Sequence, residues 1–236
     1  MKQVYSQLFF IAIILIINCP VYSQSNLIKP LWQQNASVND LKFSKDGSKL
    51  ITVGNDINIW DAQPGSLIKN IQPVVVNPFR SVAISKDGKS FVTGSGTSTC
   101  QDYCYAVNAF LSKYFIDGTL NMHISTAETL ADGLDYSPDG KTVAAAYHYG
   151  YYDVDGIVSI YDTSLNGINS FYGHVPYGAA SVQFTPNGKY LISGGWDDGN
   201  AQIWDYHADS LVHILPHGGF TGDGGNDLHI SISPDQ

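Results

Sequence analysis

Histidine and serine are the side chains of this sequence that could perform catalysis or hold a metal, and their spacing argues against both. The seven histidines include no pair at a metal-ligating interval. His213 and His217 lie four residues apart, but on a predicted strand and its exit this separation forms no chelate. The sequence contains no Gly-x-Ser-x-Gly elbow, no His-Glu-x-x-His motif and no glycine-rich phosphate loop before a helix. We therefore predict no catalytic residue, no metal and no cofactor.

Two short acidic segments carry the oxygen-bearing side chains that Ca²⁺ prefers, Asp153–Gly156 and Asp223–Asp227. Neither has the full ligand spacing of a calcium loop. Aspartate and glycine together are also typical of tight turns, and we interpret both segments as turns.

Cys100 and Cys104 are the cysteines that remain once the N-terminal segment is removed. In an oxidising compartment they are candidates for a disulfide that closes the intervening three residues, a local staple. Asn35 begins the sequon Asn-Ala-Ser and is a candidate for N-glycosylation in a eukaryotic host; otherwise it lies in a polar loop.

The N-terminus predicts a secretory signal peptide at residues 1–23. Lys2 precedes an apolar run from Leu8 to Ile17, and small or modest residues end at Ser23, after which we expect cleavage. The run is too short for an ordinary membrane span, although an uncleaved anchor is the alternative. We therefore expect a secreted, extracellular protein with no membrane association after cleavage. The formal charge of -9 argues against nucleic acid as a partner.

A short sequence motif that recurs along the chain marks the predicted β-strands. An apolar residue is followed by Ser or Thr, then Lys or Pro, then Asp or Asn with Gly, and a second apolar run resumes. The copies begin at Phe43, Ile84, Tyr136, Phe184 and Ile232. Pro favours the second position of a turn, and Asp or Asn with Gly supplies residues that tolerate positive φ, so each copy predicts a β-hairpin.

The hairpins recur at intervals of roughly 40 to 50 residues, the length of one four-stranded propeller blade. We therefore predict an all-β chain, a β-propeller of four-stranded antiparallel blades that is incomplete. Residues 24–236 would contain about four blades and the start of a fifth. The expected bounds are 38–71, 80–124, 131–172, 178–215 and 227–236.

The second blade is the least regular. Its second strand is predicted at Phe91–Thr93, and Gly94 to Tyr103 is interpreted as a long polar loop. Phe110 is expected at the position that Trp60 occupies in the first blade.

Within the fourth repeat, Gly173-His174, Asp198 and Trp204-Asp205 resemble the Gly-His to Trp-Asp signature of the WD-repeat (WD40) propeller family. Trp60-Asp61 and Tyr161-Asp162 repeat the closing dipeptide. The resemblance covers roughly residues 27–236. It implies a structural hydrogen-bonded network inside each blade. The residues in those roles are His174, Ser193, Asp198 and Trp204 in the fourth repeat, and Thr52, Asp56 and Trp60 in the first.

Propellers of this family usually close a ring of about seven blades, whereas this sequence stops inside its fifth hairpin. We therefore expect a truncated product, an open arc of blades with exposed ends that aggregates or needs a partner chain.

In the family, the loops between second and third strands and those between blades lie on one face. Here these loops are aromatic, and a protein or glycan partner is expected to bind them. The candidate residues are Tyr103, Tyr147, Tyr149, Tyr151, Tyr152, Tyr177, Trp196 and Phe220. The alternative is that these rings pack on one another to order the loops.

The functional expectation is a secreted, non-enzymatic interaction scaffold. Two alternatives stay open: the N-terminal part of a propeller enzyme of lactonase-like or quinoprotein-like type, and the propeller module of a larger peptidase or adhesion protein.

Overall fold

The structure, a computed structural model, describes residues 33, 37–73, 77–100, 104–126, 129–148, 156–175, 178–195, 198–217 and 228–233. The chain divides into two compact units, Met1–Gln33 and Gln34–Gln236, and Gln33 is the described residue of the first. None of the described residues is helical, and so none belongs to a helix that could cross a bilayer.

The described strands of the second unit form four antiparallel sheets, each with four strands in chain order. The first contains β1 (Asp40–Phe43), β2 (Lys49–Val53), β3 (Ile57–Asp61) and β4 (Leu67–Ile71). The second contains β5 (Phe79–Ile84), β6 (Ser90–Cys100), β7 (Cys104–Phe115) and β8 (Leu120–Ser125). The third contains β9 (Leu130–Tyr136), β10 (Thr142–His148), β11 (Gly156–Asp162) and β12 (Gly167–His174). The fourth contains β13 (Ala179–Phe184), β14 (Leu191–Gly195), β15 (Asn200–Asp205) and β16 (Ser210–Pro216). The predicted fold class of four-stranded antiparallel blades is confirmed.

The recurring sequence motif forms the turn between the first two strands of every sheet. In the first copy, Gly47 N donates to Ser44 O at 2.8 Å, and Gly47 has φ +68°. Asp46 Oδ1 accepts from Ser44 Oγ at 2.6 Å and from Ser48 N at 3.0 Å. Positive φ therefore falls on the glycine alone, not on the preceding Asp as expected. The aspartate is selected instead because its side chain accepts hydrogen bonds across the turn.

The second and third sheets bury both faces of their second strands, because one face meets the preceding sheet and the other the following sheet. On β10, Val143 and Ala145 pack in a core shared with the second sheet. Ala144 and Ala146 point the opposite way into a core shared with the fourth sheet. Since successive side chains of a strand alternate between faces, the continuous apolar run on this strand serves two interfaces at once.

The second sheet corrects two expectations. β6 continues through Gly94 to Cys100 and pairs with β7, so the segment interpreted as a polar loop is mostly strand. Tyr114, not Phe110, takes the Trp60 position, because Tyr114 pairs with Phe91 as Trp60 pairs with Leu50. The Tyr114 ring stacks on Phe91 with centroids 5.2 Å apart.

Apolar side chains are exposed at both ends of the series of sheets. On β1, Leu41 and Phe43 are 47% and 58% exposed. On the last strand, β16, every residue is exposed. Residues 228–233, where the first strand of a fifth hairpin was expected, run along the fourth sheet without forming a strand.

Candidate functional site

The fourth sheet holds its predicted polar residues in one hydrogen-bonded network. Ser193 Oγ lies 2.7 Å from His174 Nε2 and accepts from Trp204 Nε1 at 2.8 Å. His174 Nδ1 lies 2.6 Å from Asp198 Oδ2. His174 is fully buried, so each of its polar atoms needs the partner it has. The network bonds the β14–β15 turn to His174, the last residue of β12, where the chain passes from the third sheet to the fourth.

The first sheet contains part of this network. Trp60 Nε1 donates to Thr52 Oγ1 at 3.0 Å, as Trp204 does to Ser193. Asp56 does not take the role of Asp198. Its Oδ1 accepts from Asn58 Nδ2 at 2.8 Å, and its other oxygen accepts from Asn70.

In the third sheet, Tyr161 occupies the position that Trp60 and Trp204 occupy in the first and fourth sheets. Its hydroxyl lies 2.8 Å from the hydroxyl of Tyr147. Tyr147 is only 2% exposed and packs in the core shared with the second sheet. This residue was expected on the binding face, and it instead contributes to the core because it lies on β10 and not in the following loop.

The aspartates of the closing dipeptides share one local role. Asp61, Asp162 and Asp205 each end a third strand, and each accepts backbone N–H bonds from the turn that follows. The bonds from Asn166 hold the pKa of Asp162 below its usual value. These residues shape turns and do not form a reactive site.

Side-chain oxygens on three of the first strands accept backbone bonds from the part of the chain that packs next to them, which the sequence did not predict. Asp40 Oδ2 accepts from Val82 N at 2.9 Å, and Asp135 Oδ2 accepts from Phe184 N at 2.8 Å. Gln183 Oε1 accepts from Ile232 N at 3.1 Å. Because the donors lie more than 40 residues ahead in sequence, no local pattern marks these bonds.

A cavity of about 240 Å³ lies between these first strands, with Asp40, Lys42, Asp135 and His229 among the residues that line it. Burial raises the pKa of Asp40, although hydrogen bonds from Val82 and Leu41 act against it. Burial likewise raises the pKa of Asp135, to about 6. The wall of this cavity therefore contains two carboxyl groups, those of Asp40 and Asp135, that are costly to ionise.

A second unpredicted cluster joins the second and third sheets. Asp132 on β9 binds Arg80 through one oxygen and His148 through the other. Burial raises the pKa of Asp132, but the bond and charge of His148, with the charge of Arg80, outweigh burial and leave the pKa below its usual value. The signal available from sequence was Arg80 on one first strand and Asp132 on the next, each among mostly apolar residues.

The remaining candidate residues lie outside the described part of the chain. They are Asn35, Tyr103, Tyr149, Tyr151, Tyr152, Tyr177, Trp196 and Phe220, together with the acidic segments 153–155 and 223–227. Cys100 and Cys104 are opposite one another in the β6–β7 register. Among the described residues, no three His, Cys, Asp or Glu side chains are grouped as metal ligands.

Comparison with known proteins agrees with this geometry. Residues 166–205 match the family model "WD domain, G-beta repeat". Protein HIRA of Dictyostelium discoideum is 27% identical over 139 residues, which is 50% of this chain and 12% of that protein.

Three solved structures share the fold. "Structure of U3-55K" superposes with a TM-score of 0.64 at 15% identity over 81% of this chain and 55% of that chain. "Crystal structure of RRP9 WD40 repeats" superposes with a TM-score of 0.63 at 15% identity, over 84% of this chain and 56% of that chain. "Kuenenia stuttgartiensis Hydrazine Synthase" superposes with a TM-score of 0.60 at 21% identity, over 82% of this chain and 52% of that chain. Such identities show the fold alone, and the chain spans little more than half of each structure. Residues 166–205 therefore match a WD repeat, and the chain has the β-propeller fold of the WD40 repeat structures on which it superposes.

Proposed function

We propose that the chain is a secreted, non-enzymatic WD40 scaffold that binds a protein partner through the loops between second and third strands and between sheets. The observation that carries the proposal is the rigid support at the bases of these loops. Binding loops on a stiff scaffold lose little conformational freedom on association.

Two buried polar clusters supply this support. His174 and Asp198 join the connection after β12 to the turn after β14. Arg80, Asp132 and His148 join the start of β5 to the start of β9 and the end of β10. Both clusters lie at the strand ends from which the aromatic loops leave. Buried charged groups are retained only when paired, so these pairs hold the loop bases in one geometry.

The test replaces three aromatic residues of these loops, Tyr149, Tyr151 and Trp196, with alanine. The matched control replaces Phe43 and Phe115, which are exposed at the strand ends opposite these loops. Each protein is immobilised and incubated with the extracellular fraction of the source cells, and the captured proteins are quantified by mass spectrometry. We expect a protein that is retained by the wild type and by the control but lost from the loop variant.

That protein is then purified, and its affinity for the wild type and for the two variants is measured directly. A loss of at least about 2 kcal/mol in the loop variant is expected if the aromatic side chains are binding hot spots. Equal affinity of the loop variant and the wild type would refute the proposed face.

A further inference from the structure

The dipeptide Asn-Gly occurs twice in the sequence, at Asn166-Gly167 and Asn187-Gly188. Asn187 holds the turn position that Asp46, Asp87 and Asp139 hold in the other sheets. The pKa of each of those aspartates is lowered, chiefly by a serine hydroxyl. They stay ionised, and a carboxylate is a poor electrophile. Asn187 places a neutral amide carbonyl at the same position.

We propose that Asn187 is a site of self-catalysed deamidation that converts the fourth turn to the Asp-Gly form of the other three. The amide is exposed in the turn. Thr185 Oγ1 donates to Asn187 Oδ1 at 2.8 Å, and Lys189 N donates to the same oxygen at 2.9 Å. The bond from Lys189 N holds the Asn187 side chain over Gly188, the residue whose backbone nitrogen would attack.

The reaction needs only water. Once the bond from Gly188 N to Thr185 O opens, the Gly188 nitrogen attacks Asn187 Cγ, and a C–N bond forms while negative charge develops on Oδ1. The bond from Cγ to Nδ2 then breaks, and ammonia leaves with the proton of the Gly188 amide. Water opens the resulting succinimide at either carbonyl, which gives aspartate or isoaspartate. The two donors to Oδ1 point at the atom on which charge develops, the arrangement that stabilises an oxyanion.

Asn166 is an internal comparison with the same dipeptide in a different setting. Its Nδ2 donates to Asp162 Oδ2 at 2.8 Å, and its backbone nitrogen donates to the other oxygen of that carboxylate at 2.9 Å. A carboxylate beside the amide opposes a developing oxyanion. The structure therefore assigns faster deamidation to Asn187 than to Asn166.

The aspartate product fits the turn. In the first three sheets, a serine hydroxyl and the backbone nitrogen two residues on donate to the aspartate, as Thr185 and Lys189 do to Asn187. Isoaspartate adds a methylene to the backbone inside the turn that Gly188 N closes on Thr185 O at 2.8 Å. The folded turn therefore favours retention of the aspartate product.

The experiment incubates the native chain at neutral pH and samples it over weeks. Trypsin releases the peptide Thr142–Lys189, which contains both asparagines, and electron-transfer fragmentation separates aspartate from isoaspartate. We expect Asn187 to lose its amide about tenfold faster than Asn166, the ratio that one well-placed hydrogen bond supplies. In denaturing urea the two rates should converge. Asn187→Asp provides the product standard.

Thr185→Val removes one donor to Oδ1 and should slow the loss of the Asn187 amide about fivefold. Thr185→Ser, which copies the other three turns, should keep the wild-type rate. Native rates for Asn187 that are equal to or below those for Asn166 would overturn the proposal, as would a faster reaction in Thr185→Val.

Discussion

Replacement of Asp135 by asparagine should stabilise the protein at neutral pH. Asp135 ties the third sheet to the fourth through its bond from Phe184 N. Burial raises its pKa from 3.8 to about 6, the bond from Phe184 and the charge of Lys42 only partly opposing the shift. Asparagine keeps an oxygen acceptor of the same shape and removes the buried charge. Gln183 already supplies a neutral acceptor at the next junction.

The magnitude follows from the shift in pKa. A shift of about two units at about 1.4 kcal/mol each makes the ionised carboxylate cost up to about 3 kcal/mol in the folded state. Because the folded pKa is the higher one, this contribution to stability is fully present below pH 3.8 and is lost as the pH rises through 6. Asp135→Asn should therefore gain about 2–3 kcal/mol at pH 7.5 and less than about 1 kcal/mol near pH 4.

The assay is urea denaturation of wild type and variant at both pH values, followed by tryptophan fluorescence. Asp139→Asn is the control, since the pKa of Asp139 is lowered by Ser137 and Lys141 and removal of that charge should give no gain at neutral pH. A destabilised Asp135→Asn at pH 7.5, or a gain of the same size at both pH values, would refute the assignment of a buried and costly charge.

Three further predictions concern the network, the cysteines and the N-terminus. Ser193→Ala should lower the free energy of unfolding by about 2–4 kcal/mol, because two buried polar groups, those of His174 and Trp204, lose their partner. Thr52→Val should lower it by about 1–2 kcal/mol, because only Trp60 loses its partner. Thermal and urea denaturation that show equal losses for the two variants would contradict this. Thiol titration of the denatured, unreduced protein should find Cys100 and Cys104 paired when the chain is made through the secretory pathway, and two reactive thiols would disprove it. N-terminal sequencing of the secreted chain should begin directly after Ser23, and an intact Met1 would contradict the signal peptide.

The sequence was sufficient for the repeated elements because their information is local. Each turn is encoded in a few adjacent residues, such as Ser44, Asp46 and Gly47, whose side chains and backbone bond to one another. The alternating and continuous apolar runs likewise mark strands with one or two buried faces.

The second sheet shows where local information fails. Residues Gly94 to Cys100 are rich in glycine, serine and threonine, so their composition predicts a loop. They form strand because β7 offers a matching edge, and that partner is not visible in the composition of either segment. The misassigned strand end also placed Phe110, and not Tyr114, at the position equivalent to that of Trp60.

The bonds between sheets could not be predicted for the same reason. Asp135 and Phe184 are 49 residues apart, and whether an aspartate on a first strand meets a backbone donor, an arginine or water depends on how one sheet turns against the next. Within the candidate site, the network around His174 could be predicted from its motif. The clusters around Asp132 and Asp135 could not, because they depend on contacts between residues of different sheets.

The division of β10 between two interfaces has a consequence for how the molecule comes apart. Ala144 and Ala146 support one neighbour while Val143 and Ala145 support the other, so melting of the third sheet would strip both. The first and fourth sheets each lose contact with a single neighbour when they open. Amide exchange in the native protein should therefore be fastest at the two terminal sheets and slowest at β6 and β10, the second strands of the two middle sheets, a gradient set by nearest-neighbour coupling.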